Sequence, residues 1–207
     1  TVRVVGNKEQ SEDDYYVRFH KTNPSQPFTL GPGTWVETAK PGVLSTIDER
    51  TMPFALNRYQ DTDGSVTGTV GKIYFRLEAV NWAERECGDD TSNPIPSFVG
   101  RSLSDIFLHR NRLGFLSDTN VILSQSGDYV NFWRSTTQTV LDSDPIDVSV
   151  SHPRIAILRH AVQFGEDLVL FSDQVQFILR GGDLLTPKTV NITPETEYEC
   201  DPVCKPV

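Results

Sequence analysis

The sequence predicts a mainly β protein, with a β-rich front region and a region of repeated hairpins behind it. Three observations carry this. Short runs rich in β-branched and aromatic residues recur between Gly, Asn and Asp clusters. Helical periodicity is weak everywhere. And one sixteen-residue phrase is written twice: LGFLSDTNVILSQSGD at 113–128 and LVLFSDQVQFILRGGD at 168–183, an offset of 55 (113 + 55 = 168).

In chain order, the strand-like TVRVV opens the sequence and DYYVRFH (14–20) and GTWVETA (33–39) follow. DTDGS (61–65) reads as a hairpin turn leading into VTGTVGKIYFRLEAV (66–80), which has the composition of a strand. The stretch 81–101, NWAERECGDDTSNPIPSFVGR, combines two prolines with a charge cluster and has no apolar period, so it reads as a linker or long surface loop. It separates a β-rich region, 1–80, from a hairpin-repeat region, 102–207. Two short helices are expected in the latter. One covers 102–110 (SLSDIFLHR), with Ser102 as cap and Asp105 at the third helical position, and the other 153–161 around PRIAILRHA.

The remaining strands are RLGFL (112–116), NVILSQ (120–125), DLVLFS (167–172) and VQFILRG (175–181). Within each copy of the phrase, an apolar strand runs into Ser-Asp, whose side chains can bond their own backbone and close a reversal, and a second strand ends at Gly-Asp. Each copy is therefore a β-hairpin. The period lies somewhat above the roughly 40–50 residues of propeller blades. On spacing alone, a true repeat and two hairpins sharing turn residues by chance remain equal readings.

Composition excludes several classes. The 207 residues hold enough chain for a real core, and the 13 prolines and 14 glycines are scattered as in a turn-rich ordered protein. No apolar run approaches the roughly 18 residues of a membrane span. The first residues do not read as a signal peptide, and the abrupt beginning and end suggest a piece of a longer protein. A formal net charge of −9 disfavours a protein that grips phosphates, yet it suits a wall past which DNA slides without sticking. Cys200 and Cys204 form a C-x3-C pair, but zinc would need two more ligands than they supply. A local disulfide or free thiols remain open.

No nucleophile elbow, phosphate loop or paired metal histidines occur. Glu84, Glu86, Asp89 and Asp90 could act as acid and base in glycoside cleavage with Trp82 as a sugar platform, or form a solvated acidic patch. Asp142, Asp144 and Asp147, in LDSDPIDV, have the alternating oxygen ligands calcium prefers, but lack the glycine and glutamate of a calcium loop. They are a weak calcium candidate, and no other cofactor is expected. Arg110 and Arg112 sit in a basic island that could pair with carboxylates of a neighbouring element or subunit. Phe132 and Trp133, with Phe98, Tyr129 and Trp82, flank turns. They suit either an interface or the plugged ends of β units. Arg110, Arg112, Phe132 and Trp133 are the contact residues the sequence nominates.

Long stretches carry a family likeness in a consistent order. DDYYVRF, WVETAKPG, TMPFALNR, WAERECGDDTSNPIPSFVG, SDIFLHRNRLGFLSDTNVILSQSGDYVNFW, DSDPIDVSVS and LVLFSDQVQFILRGGDLLTPKTV closely resemble the tail tubular protein B family, the nozzle proteins of short-tailed bacteriophages. The resemblance spans roughly residues 14–198. It implies a non-enzymatic virion protein several times longer than this chain. It further implies a hexameric ring below the tail adaptor, contact with fibre proteins, and a distal tube through which the genome leaves. The implied fold is β-rich with a propeller-like portion, so the second region would be an incomplete β-propeller-like domain. The rival class is a tail-associated polysaccharide hydrolase or glycan-binding module. The Cys200/Cys204 pair is not part of the likeness.

Overall fold

A computed structural model describes residues 1–5, 14–22, 31–201 and 203–206. Among these residues thirteen strands form four antiparallel sheets: β1 (Val2–Val4), β2 (Tyr15–Lys21), β3 (Gly33–Thr38), β4 (Ala55–Gln60), β5 (Ile73–Glu78), β6 (Asp105–His109), β7 (Arg112–Ser117), β8 (Asn120–Leu123), β9 (Ile146–Ser149), β10 (Leu158–Phe164), β11 (Asp167–Ser172), β12 (Gln176–Arg180) and β13 (Asn191–Thr196). Among the described residues there is no α-helix, only a 3-10 turn at Glu49–Thr51 capped by the Asp48 carboxylate. The chain is mainly β, as its sequence predicts.

The chain divides into two compact units, Thr1–Ser45 with Glu84–Val207, and Thr46–Ala83. The large unit contains β1-β2-β3 and two four-stranded meanders, β6-β7-β8-β9 and β10-β11-β12-β13. The doubled phrase is the middle hairpin of each meander. An offset of 55 carries β7 onto β11 end for end (112 + 55 = 167, 117 + 55 = 172). The chemistry repeats as well. Ser117 and Ser172 are both buried at strand ends, with hydroxyls donating to the Ser102 and Val175 carbonyls. Gly127 and Gly182 both hold positive φ, 80° and 61°, where a side chain would strain the backbone.

The meanders bury a common core, with Leu116, Val121, Leu123 and Ile146 from one and Leu158, Leu168, Leu170, Phe177 and Leu179 from the other. Alternation explains the choice: in β11 Leu168, Leu170 and Ser172 are buried while their neighbours are half-exposed. The first meander is also covered on its other face, where Phe115 meets Phe98 and Phe132 at ring-centroid distances of 5.3 and 5.1 Å.

The two expected helices are strands or irregular. Residues 105–109 form β6, with Ile106 and Leu108 outward and His109 buried, a two-residue period that pairing with β7 enforces. Residues 153–157 are irregular and Leu158 begins β10. Nine residues of weak helical pattern carry less stabilisation than a full ladder on a neighbouring strand. The strand expected at 66–80 is confined to β5. Residues 61–72 instead form a loop organised by Asp61, whose carboxylate accepts from the N–H groups of Gly64, Val66 and Thr67 and from the Thr67 hydroxyl. β13 contains Pro194, which is tolerated because β13 is an edge strand beside a register shift.

The small unit is built on the β4–β5 hairpin. One face is polar: Tyr59 and Asn57 both donate to the Glu78 carboxylate at 2.7 Å, and Tyr59 stacks on Tyr74. The other carries Leu56, Ile73, Phe75 and Leu77, all exposed.

Candidate functional site

The β6–β7 turn is two residues long, Arg110 and Asn111, and both have positive φ (45° and 60°). This geometry matches the twist of the strands it joins, and the equivalent turn of the second meander places Gly165 there (φ 61°). Arg110 is held in a conformation glycine would adopt more easily. Its guanidinium compensates, donating to the Gly182 carbonyl at 2.6 Å and the Glu166 carbonyl at 3.1 Å, with the Glu166 carboxylate at 3.4 Å. Arg110 thus clamps the turn of one meander to two turns of the next.

Arg112 lies two residues on and is buried. It donates to five carbonyls: Ser124 and Asp144 at 2.7 Å, Asp142 at 2.9 Å, Ser143 and Leu185 at 3.2 Å. Burial lowers its pKa from the ordinary arginine value, and the Asp144 charge opposes that. It nails the 142–144 loop to both meanders. Phe132 belongs to the buried aromatic trio, and Trp133 is buried with the Arg85 guanidinium over its ring at 5.3 Å. Of the four nominated contact residues, only Arg110 has part of its side chain toward solvent. Arg112, Phe132 and Trp133 are buried in this chain, Phe132 with an edge on a cleft over β8 and β9. Of the aromatics the sequence places beside turns, Tyr129 is the exposed one, its hydroxyl donating to the Asn111 side-chain carbonyl.

The three aspartates of the calcium candidate do not converge. Asp144 is buried, accepts the Leu141 N–H at 2.9 Å and faces Arg134 at 3.6 Å. Asp147 accepts from Ser97 N–H and Asn120, and Asp142 stands exposed 4.0 Å from Lys188. Among the described residues no three His, Cys, Asp or Glu side chains form a group that could hold a metal ion.

The acids of 84–90 have different surroundings. Glu84 and Glu86 point to solvent, and Asp90 pairs with the buried Arg85 at 2.8 Å. Burial pushes the Asp89 carboxyl up, but the Ser92 and Thr91 N–H groups outweigh it and hold it below the usual carboxylate range. An acid so held is a poor proton donor at neutral pH. Residues 81–101 contain no strand, yet Cys87, Asn93 and Phe98 within them are buried. Asn93 donates to the Cys87 and Arg134 carbonyls and accepts the Arg134 N–H. Cys87, Cys200 and Cys204 are free thiols.

These loops enclose an apolar cleft of about 270 Å³ on the outer face of β8 and β9, lined by Pro94, Pro96, Ile122, Phe132, Val140 and Pro145, with Arg134 and Asp147 at its polar edge. It is smaller than most pockets for small ligands, roughly 300–1,000 Å³. Its size and lining suit a protein side chain. Neither the cleft nor the Asn93–Arg134 link has a periodic signature. The only trace in sequence is the clustering of prolines around 94–96 and at 145.

Comparison with known proteins bears on what these surfaces serve. A family model described as bacteriophage nozzle protein matches residues 1–207. The chain is 38% identical over 205 residues to tail tubular protein gp12 of Escherichia phage T7, an alignment covering 99% of this chain and 23% of that protein. The chain therefore spans about a quarter of the length of the relative it matches.

Proposed function

From the premise that this chain belongs to the bacteriophage nozzle protein family, we propose that it forms part of the wall of a phage tail nozzle, a non-enzymatic component of the virion through which the genome is ejected. The observation that carries the reading is the family match over every residue of a chain whose larger unit holds a pair of packed four-stranded meanders. In this reading the meanders are two blades of a propeller-like domain completed by chain outside these residues. Their shared, densely packed core supplies rigidity, and their turns and exposed faces meet neighbouring copies, the tail adaptor and the fibres. The net charge of −9 supports a conduit that passing DNA does not adsorb to. The pairing of Asp90 with Arg85, and of Asp89 with the N–H groups of Thr91 and Ser92, supports a structural role for these two acids.

Electron microscopy of the full-length protein tests the proposal. Six-fold rings with a central channel are expected. A protein that stays monomeric at all concentrations, and is absent from tails of assembled particles, sinks it.

A further inference from the structure

Two of the apolar surfaces among the described residues complement one another. The first is one face of the β4–β5 hairpin. Leu56, Arg58 and Gln60 share that face with their cross-strand partners Leu77, Phe75 and Ile73. Leu56, Leu77 and Phe75 are 67%, 68% and 60% exposed. A two-stranded sheet is marginal in water unless a face is covered. Arg58, directly across from Phe75, has no ion pair among the described residues. The face therefore presents an aromatic anchor with a free cation beside it.

The second is the cleft on β8 and β9. Its floor residue Ile122 lies directly across from Asp147, which is exposed. The Asp147 oxygens accept from Ser97 N–H and Asn120 and keep lone pairs to spare. Proline walls lose little entropy on binding. Arg134 at the same edge is paired with Asp144 at 3.6 Å, so the cleft presents an apolar hole beside Asp147, an anion with no ion pair among the described residues. Hole and anion match the anchor and cation of the hairpin in both chemistry and adjacency.

We propose that the hairpin of one copy seats Phe75 in the cleft of a second copy, with Arg58 facing Asp147. This deepens the assembly reading above and rests on it. Charge complementarity selects the occupant. In a chain of net charge −9, a partner for a cleft edged by Asp147 must bring a cation next to an apolar knob, and the hairpin supplies both. The contact joins two different patches, so it is head-to-tail and generates a ring or a filament.

The test uses the full-length protein with Cys200→Ser and Cys204→Ser. One preparation carries Leu77→Cys, which keeps Phe75 and lies beside it on the same hairpin face, and another Val140→Cys, Val140 lining the cleft. On mixing and mild oxidation, a disulfide between the two preparations is expected. Phe75→Ala should weaken assembly about thirtyfold or more, as for a central anchor, and Arg58→Glu about tenfold, more at low salt. Normal assembly without the disulfide, or with Phe75→Ala unaffected, overturns the contact and leaves the nozzle reading standing. A disulfide that forms only when both cysteines share one chain also overturns it. A parent that never assembles overturns both.

Discussion

Gly114 and Phe107 are cross-strand partners on β7 and β6, and the offset of 55 carries them onto Val169 and Val162, which are partners on β11 and β10. The two meanders fill the same place differently, one with a large and a small residue, the other with two of middle size. A Cβ on Gly114 would lie 2.2 and 2.3 Å from Phe107 ring atoms and 2.9 Å from Leu123 Cδ2. Gly114→Val alone is therefore overpacked and should cost about 1–3 kcal/mol. Phe107→Val alone should cost about 1–2 kcal/mol, less than for a fully buried ring because Phe107 is only partly buried. Together they recreate the Val-Val pair of the second meander. The double variant should be more stable than the sum of the singles by about 1–2 kcal/mol. Urea unfolding followed by tryptophan fluorescence, with all four proteins at matched slope, gives the coupling. A coupling below about 0.5 kcal/mol would refute the claim that the two hairpins are interchangeable packings of one unit.

Arg112→Met should cost about 3–5 kcal/mol, because it leaves buried carbonyls on the 142–144 loop and at Leu185 without donors; a loss under about 1 kcal/mol in the same urea assay contradicts its role as a hub. The Asp61 carboxyl is lowered from 3.8 to about 2, first by the Thr67 N–H bond. Its contribution is present above the ordinary value and lost as pH falls toward 2, so Asp61→Asn should flatten the acid limb of a melting curve taken between those limits. Burial first, and then the Arg110 charge, lower the pKa of His109 from 6.5. The unfolded chain takes that proton more readily, so stability should fall as pH drops below 6.5, and His109→Gln should reduce the slope. The Cys87 thiol is pushed up to about 12 by burial and by the nearby Glu37 charge. Iodoacetamide at pH 8 should alkylate the exposed Cys204 and spare Cys87 until denaturant is added, as mass spectrometry can read.

Much of the fold was legible along the chain. β7, β8, β11 and β12 lie where β-branched and aromatic runs predict them, and the Ser-Asp and Gly-Asp pairs mark strand ends and positive-φ turns. β9 and β13 were not legible. β9 is four residues, Ile-Asp-Val-Ser, that follow a proline and look like a polar turn, and β13 contains a proline. Each is a strand because a neighbour offers it a ladder. The short expected helix at 102–110 failed for the same reason, since its alternation became visible only beside β7.

The nominated site divides along the same line. The sequence alone marked the residue types that matter, Arg110, Arg112, Phe132, Trp133 and the clustered acids, because arginines, aromatics and carboxylates near turns are chemically distinctive wherever they stand. Whether each faces water or the interior was decided by tertiary structure. Arg112 is buried because carbonyls as far as Leu185, 73 positions away, converge on it, and Trp133 because Arg85 closes over it. Alternation and turn chemistry are properties of neighbours in the chain and can be read from it. Burial depends on which distant surfaces meet, and that is settled only when the two meanders pack.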